Sequence, residues 1–156
     1  MSRSVRSKTI PAFPNSFPYN ELLLSGKLSA KTRTWRWGHT GLTLLYTSTS
    51  TAYDVAHEHE LDPKDALRGV LVGVGELVPV RRLTSKEHRQ IIDEFYNHQF
   101  AARLEYPRND LYRYEFKNLK RFTNPVLFKP PQGAVRLFNV PVSIVAKALK
   151  EVDVSV

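Results

Sequence analysis

Apolar residues recur every second position in some stretches of this chain and every third or fourth in others, so strands and helices are interleaved along it. Leu42, Leu44 and Tyr46 alternate with Thr43, Leu45 and Thr47, which predicts a strand with one strongly apolar face. Residues 69–80 are apolar on both faces, as a central strand would be. Gly73 and Gly75 fall on one face of that strand and strip it of side chains, a cost offset only when a helix or a ligand packs close to the backbone. Tyr112, Tyr114 and Phe116 alternate with Arg113, Glu115 and Lys117, giving a strand with an aromatic inner face and a charged outer one.

The helical signals are of different strength. Thr84 and Glu87 have the spacing of a capping box, and Ile91, Ile92, Phe95, Tyr96 and Phe100 supply one helical face behind it. Ile144, Val145, Ala148 and Leu149 do the same for a final helix over about 142–150. The period of two is lost from Ser48 on, and a helix over about 51–60 is expected there, with Asp62–Pro63 starting a turn or a further short helix. Asn20 is placed to cap a helix over 21–25 that ends at Gly26, a residue free to adopt the left-handed conformation. Pro11, Pro14 and Pro18 remove amide donors from residues 9–18 and predict an extended arm. Short strands between helices leave little room for long parallel crossovers. The expected class is α+β, a small mixed or antiparallel barrel with peripheral helices, which periodicity alone leaves as one of several α+β arrangements.

Charge adds a second layer. The net charge is +8 over 156 residues. Residues 1–38 hold seven Lys/Arg against one acid and residues 112–138 hold six against one, whereas the stretch between them is net acidic. Two separated basic segments that border one cleft would focus a positive potential, the footprint of a nucleic-acid site; the plainer alternative is that they solubilise exposed strands. There is no cysteine, hence no disulfide and no thiolate metal site, which fits a reducing compartment. No apolar run approaches the roughly 18 residues that span a bilayer, and the first residues lack an apolar signal core, so a cytoplasmic protein without a membrane partner is expected.

The segment Gly26–Ser48, GKLSAKTRTWRWGHTGLTLLYTS, carries the sharpest motif. It resembles the signature of the ASCH family, a branch of the PUA-like fold, in which Gly-x-Lys-x-x-Glu-x-Arg precedes a strand ending in small polar residues. Gly26 and Arg33 match the ends of that motif, while Leu28 stands at its lysine and Lys31 at its glutamate. Residues 68–80, 112–122 and 129–141 resemble the family's central and closing strands. The resemblance selects the PUA-like barrel among the α+β options and implies a single domain over 19–152 preceded by a basic arm over 1–18. It also implies a nucleic-acid partner, RNA favoured, or a modified nucleoside, met in the cleft between 26–48 and 112–138.

Candidate binding residues follow from that placement: Gly26, Lys27, Lys31, Arg33, Trp35, Trp37 and Ser48 from the first segment, and Lys117, Lys120, Arg121, Lys129 and Arg136 from the second. The Arg33 fork suits a phosphate or a base edge, or else an acid such as Glu76 in a structural pair. Trp35 and Trp37 would share a strand face, where indoles stack on unpaired bases or fill the core. Other signals are poor. His57 and His59 diverge and lack the spacing of a metal motif, so neither metal nor cofactor is expected. Gly73–Glu76 lies inside a strand and not between a strand and a helix, which excludes a dinucleotide loop. Ser48, Thr49 and Ser50 lack an evident base unless His39 folds near them. Some relatives of the family look like amidohydrolases of acylated nucleosides or nucleases, which use the motif lysine with an acidic or polar partner. Leu28 and Lys31 remove that arrangement, so the alternative reading, a hydrolase of RNA or of an acylated nucleoside, ranks behind a binding module.

Overall fold

The computed structural model describes residues 8–95, 110–132 and 136–156. In chain order its elements are β1 (Thr9–Phe17), α1 (Tyr19–Leu24), β2 (Lys31–Arg33), β3 (Gly41–Thr51), α2 (Tyr53–Glu58), a 3-10 turn (Pro63–Asp65), β4 (Val70–Leu77), β5 (Arg81–Arg82), α3 (Ser85–Phe95), β6 (Tyr112–Tyr114), β7 (Phe116–Leu127), β8 (Phe138–Pro141) and α4 (Val142–Glu151). Five strands form one sheet in the order β7-β4-β3-β1-β8, and three form a second in the order β2-β6-β5. Among the described residues only β1 and β3 run parallel; the other pairs are antiparallel. No closed barrel forms among the described residues. The edge strands β7 and β8 do not pair with each other, and α4 packs against both of them.

β3 forms where the alternation predicts it, but both of its faces are buried: Leu44 and Leu45, pointing to opposite sides, are each fully covered. Leu44, with Leu71, Phe122 and Val140, meets Val145, Ala148 and Leu149 of α4. Leu45, with Phe13, Val72 and Phe116, meets Tyr114 of the small sheet. The large sheet is thus packed on both sides. α4 differs from expectation at Ile144, which is exposed while Val145, Ala148 and Leu149 carry the contact.

The proline-bearing stretch is extended, as expected, yet it is no arm outside the domain. Residues 9–17 are β1, inserted between β3 and β8, with Ala12 and Phe13 completely buried. β8 pairs with β1 only over Thr9–Ala12, so among the described residues one side of β1 beyond that point has no partner strand and Pro14 interrupts no ladder there.

The expected aromatic strand at 112–122 is two strands in two sheets. Tyr114 closes β6 and Phe116 opens β7, and both are buried, so the alternation was real while the chain changes sheet between them. A helix does approach Gly73, where a Cβ would lie 3.3 Å from Leu24 of α1, but the tightest neighbour of both glycines is strand β7. A Cβ on Gly73 would lie 2.5 Å from the Lys120 carbonyl oxygen of β7, and one on Gly75 2.7 Å from the Leu119 side chain. The glycines let β7 cross close over β4 at an irregularity in their register.

The capping box holds: the Thr84 amide donates to Glu87 at 3.1 Å and the Glu87 amide to the Thr84 hydroxyl at 3.2 Å. Ile91 is buried behind it, and the remainder of the expected helical face lies outside the described side chains. Gly26 is left-handed, with φ of 79°. Asn20, by contrast, does not cap. It lies within α1 and is buried at 1% exposure. No helix among the described residues is long and apolar enough to cross a membrane.

Candidate nucleic-acid interface

Parts of the chain far apart in sequence converge on one cleft of about 970 Å³. β1 contributes Pro14, Asn15 and Ser16, α1 Tyr19, β2 Lys31 and Arg33, and β3 Tyr46, Ser48 and Thr49. The approach to β4 adds Arg68 and Gly69, the end of β7 and its exit Leu127–Pro130, and the approach to β8 Arg136 and Phe138. Among the described residues lining it, five are cations, Lys31, Arg33, Arg68, Lys129 and Arg136, and none carries a carboxylate. An unbalanced set of cations in a concave, partly apolar site concentrates positive potential where a phosphate would enter.

Arg33 is held firmly. Its guanidinium donates to the carbonyls of Thr32 and Pro14, both at 2.9 Å, and to Oδ1 of Asn15 at 2.6 Å, with the Phe13 ring 4.6 Å away. Behind it Asn15 donates to Asn20 at 2.8 Å, and Asn20 donates to the Thr47 hydroxyl at 3.1 Å. Asn15, Asn20 and Thr47 are all buried, so this chain of amides fixes α1 to β1 and β3 and positions the guanidinium from behind. Burial pushes the Arg33 pKa down to about 10. Glu76, the partner expected for a structural pair, instead accepts from Asn118.

Lys31 of β2 pairs with Tyr114 of β6, and its Nζ is 3.8 Å from the centroid of the Tyr19 ring. Burial, and then the neighbouring Arg33 charge, lower its pKa to about 7. One wall of the cleft is aromatic. Phe128 stacks on Phe138 with centroids 5.6 Å apart and planes 9° apart, Tyr46 meets Phe138 edge-on, and the Tyr46 hydroxyl donates to the Phe128 carbonyl at 3.0 Å. Arg68 is braced by bonds to the Thr51 hydroxyl at 2.7 Å and the Pro63 carbonyl at 3.0 Å.

Of the residues singled out from sequence, Lys31, Arg33, Ser48, Lys129 and Arg136 come together here. The others do not. Gly26 and Lys27 lie in the exposed turn after α1. Trp35 and Trp37 follow β2 in an irregular connection and are half-buried against the cluster around Phe13 and Tyr114, so they serve the core and do not line the cleft. Trp35 does lie beneath Arg136, 5.3 Å from its guanidinium, and so supports one cleft cation from below. Lys117 is exposed on β7, Lys120 donates to the Val152 carbonyl at 2.9 Å, and Arg121 forms a two-pronged ion pair with Glu21 at 2.9 and 2.7 Å. Leu28, at the motif's lysine position, is buried with Leu22, Leu23 and Val55. His39 is engaged with Leu42 and Thr43 at the start of β3, at the other end of the strand from Ser48. Among the described residues no group of three or more His, Asp or Glu is placed to hold a metal ion.

Sequence reasoning passed over Arg68, Tyr19, Asn15 and the Phe128–Phe138 pair. Arg68 lies in the acidic middle of the chain, where a local balance hides one cation; the rest become neighbours only through the sheet order.

No family model matches the chain, and no curated protein sequence does. Solved structures of an ASCH protein from Zymomonas mobilis do match in three dimensions. A tyrosine-to-phenylalanine variant has 10% identity and a TM-score of 0.57, covering 92% of this chain and 98% of that one. The unsubstituted protein has 11% identity and a TM-score of 0.57 over 90% and 93% of the two chains. A serine-to-alanine variant has 11% identity and a TM-score of 0.54 over 93% and 97%. The chain has the ASCH fold. At this identity the likeness concerns the fold alone, and the residues of the cleft must carry the rest of the reading. The ASCH likeness spans nearly the whole of both chains.

Proposed function

We propose that this ASCH-fold protein binds single-stranded RNA, or a nucleotide unstacked from it, in the cleft between β1, β3 and the exit of β7, in the cytoplasm. The observation that carries the reading is the composition of that cleft: five basic side chains and no carboxylate among its described lining, beside a stacked phenylalanine pair. Exposed Lys129 and Arg136 at its rim suit backbone phosphates, which supply most of the affinity for nucleic acid. Phe128, half-buried over Phe138, offers a face to an unpaired base, a contact that tolerates any base identity. The braced Arg33 supplies a guanidinium fixed before the ligand arrives, which lowers the ordering cost of binding.

The amidohydrolase reading fares less well. It needs a lysine paired with an acid at the motif, and Leu28 is buried in the core while Lys27 faces solvent in a turn.

The test is to purify the protein at low salt, extract whatever accompanies it, and analyse the extract by nuclease digestion and mass spectrometry. RNA fragments are expected, depleted when Lys129 and Arg136 are both changed to alanine. Recovery of no nucleic acid, or recovery indifferent to those two residues, would overturn the reading.

A further inference from the structure

Lys31 differs from the rim cations of the same cleft. Lys129 and Arg136 are exposed, whereas Lys31 is partly buried on β2 under the Tyr19 ring, two residues from Arg33, with both side chains facing the cavity. A lysine attacks carbon only as the free amine. An ordinary lysine is neutral in fewer than about one molecule in a thousand at pH 7. Desolvation beside a second cation is the arrangement that turns a lysine into a carbonyl nucleophile, and it brings the Lys31 amine to titrate at about 7.

We infer that Lys31 is a nucleophilic amine that captures an aldehyde carried by a nucleotide, forming an imine in the cleft. The inference rests on the reading that the cleft holds nucleic acid, since its other cations select a phosphate-bearing ligand. The nitrogen lone pair adds to the carbonyl carbon and the carbonyl π pair moves to oxygen, which takes a proton to give a carbinolamine. The nitrogen then loses a proton, its lone pair expels the hydroxyl, which takes up a second proton and leaves as water, and the iminium gives up its remaining proton to leave C=N. Amine and aldehyde become imine and water with no change of oxidation state, and hydrolysis reverses the step. Two nucleotides supply that chemistry: the ring-opened sugar of an abasic site, and a pyrimidine bearing a formyl group, whose ring would also stack on Phe128.

The test incubates the full chain with cyanoborohydride, which reduces an imine to a stable amine. Separate reactions contain single-stranded oligonucleotides that are unmodified, abasic at one position, or formylated at one cytosine, and a fourth contains glycolaldehyde phosphate. Adducts are mapped by peptide mass spectrometry, and binding of the unmodified strand is titrated alongside. The expected result is an adduct at Lys31 with at least one aldehyde strand and with glycolaldehyde phosphate, and none with the unmodified strand. After correction for the fraction bound, Lys31→Arg should abolish the adduct at that position, since a guanidinium stays protonated and forms no imine. Which strand is captured identifies the source of the aldehyde. Absence of adduct with both aldehyde strands, when the unmodified strand binds, overturns the inference. So does an adduct spread over exposed lysines such as Lys27 and unchanged in Lys31→Arg. If no strand binds, the nucleic-acid reading fails, and the small probe decides separately whether Lys31 is reactive at all: labelling no greater than at the exposed lysines refutes it.

Discussion

Arg33 donates to Pro14 and Asn15 from β2 and lies against Phe13, so replacing it with alanine unties β2 from β1. Asn15 is 3% exposed, and its Oδ1 would be left without its charged donor, at a cost of about 1–3 kcal/mol. Loss of the guanidinium from the Phe13 face adds about 0.5–2 kcal/mol. Against this, the side chain is itself desolvated, as its lowered pKa of about 10 reports, and alanine relieves that penalty. The net loss expected is therefore about 2 kcal/mol, at the lower end of the gross figure. For a domain of this size that is a fall of roughly 4–8 °C in melting temperature. Urea unfolding followed by the fluorescence of Trp35 and Trp37 should show a lower midpoint with an unchanged slope. Arg33→Lys should fall between, since one ammonium cannot reach all three acceptors. A wild-type midpoint in Arg33→Ala together with weakened RNA binding would refute the reasoning, because it would make Arg33 a ligand contact and not a brace.

Three further outcomes are expected. Gly73→Ala should destabilise more than Gly75→Ala in paired urea melts, because the first drives a Cβ into the Lys120 carbonyl and the second only into a movable Leu119 side chain; equal losses would contradict the close crossing. Leu28→Lys should cost about 2–5 kcal/mol in the same assay and confer no turnover of acylated cytidine, since the side chain points into the core; a stable, active variant would contradict that placement. Lys31 titrates at about 7 when folded and near 10.5 when unfolded, so between those values the unfolded chain holds the extra proton and the contribution of Lys31 to stability rises with pH, being least favourable below 7. Lys31→Met should therefore stabilise most in melts near about pH 6 and progressively less toward about pH 10, and a difference that is flat with pH would contradict the burial of the amine.

What the sequence made legible was local. The alternation at 42–47, the capping box at Thr84 and Glu87, and the apolar stripe at 145–149 each arise from neighbours along the chain, and each forms the expected element. β1 was hidden because prolines argue against an inner strand, and they are acceptable because β1 pairs with β8 only up to Ala12 and with β3 only from Ala12, so that Pro11 and Pro14 each face one partner strand. The two basic segments were legible as charge and do supply Lys31, Arg33, Lys129 and Arg136 to one cleft. Charge alone could not tell these from Lys120 and Arg121, which face Val152 and Glu21, because strand register decides where each cation points. Nor could it find the Asn15–Asn20–Thr47 chain behind Arg33, whose members meet only when α1 lies across β1 and β3.

The central claim, that the cations of this cleft meet phosphates, is tested most directly by the salt dependence of single-stranded RNA affinity. Three or four phosphate contacts predict a log–log slope of about −2 to −3, which is a loss of about 20–50-fold between about 50 and 200 mM salt. Lys129→Ala with Arg136→Ala should make the slope shallower by about 1.4, whereas Lys120→Ala with Arg121→Ala, whose side chains are engaged elsewhere, should leave it unchanged. A slope indifferent to the first pair and sensitive to the second would place the contact on β7 and contradict the account.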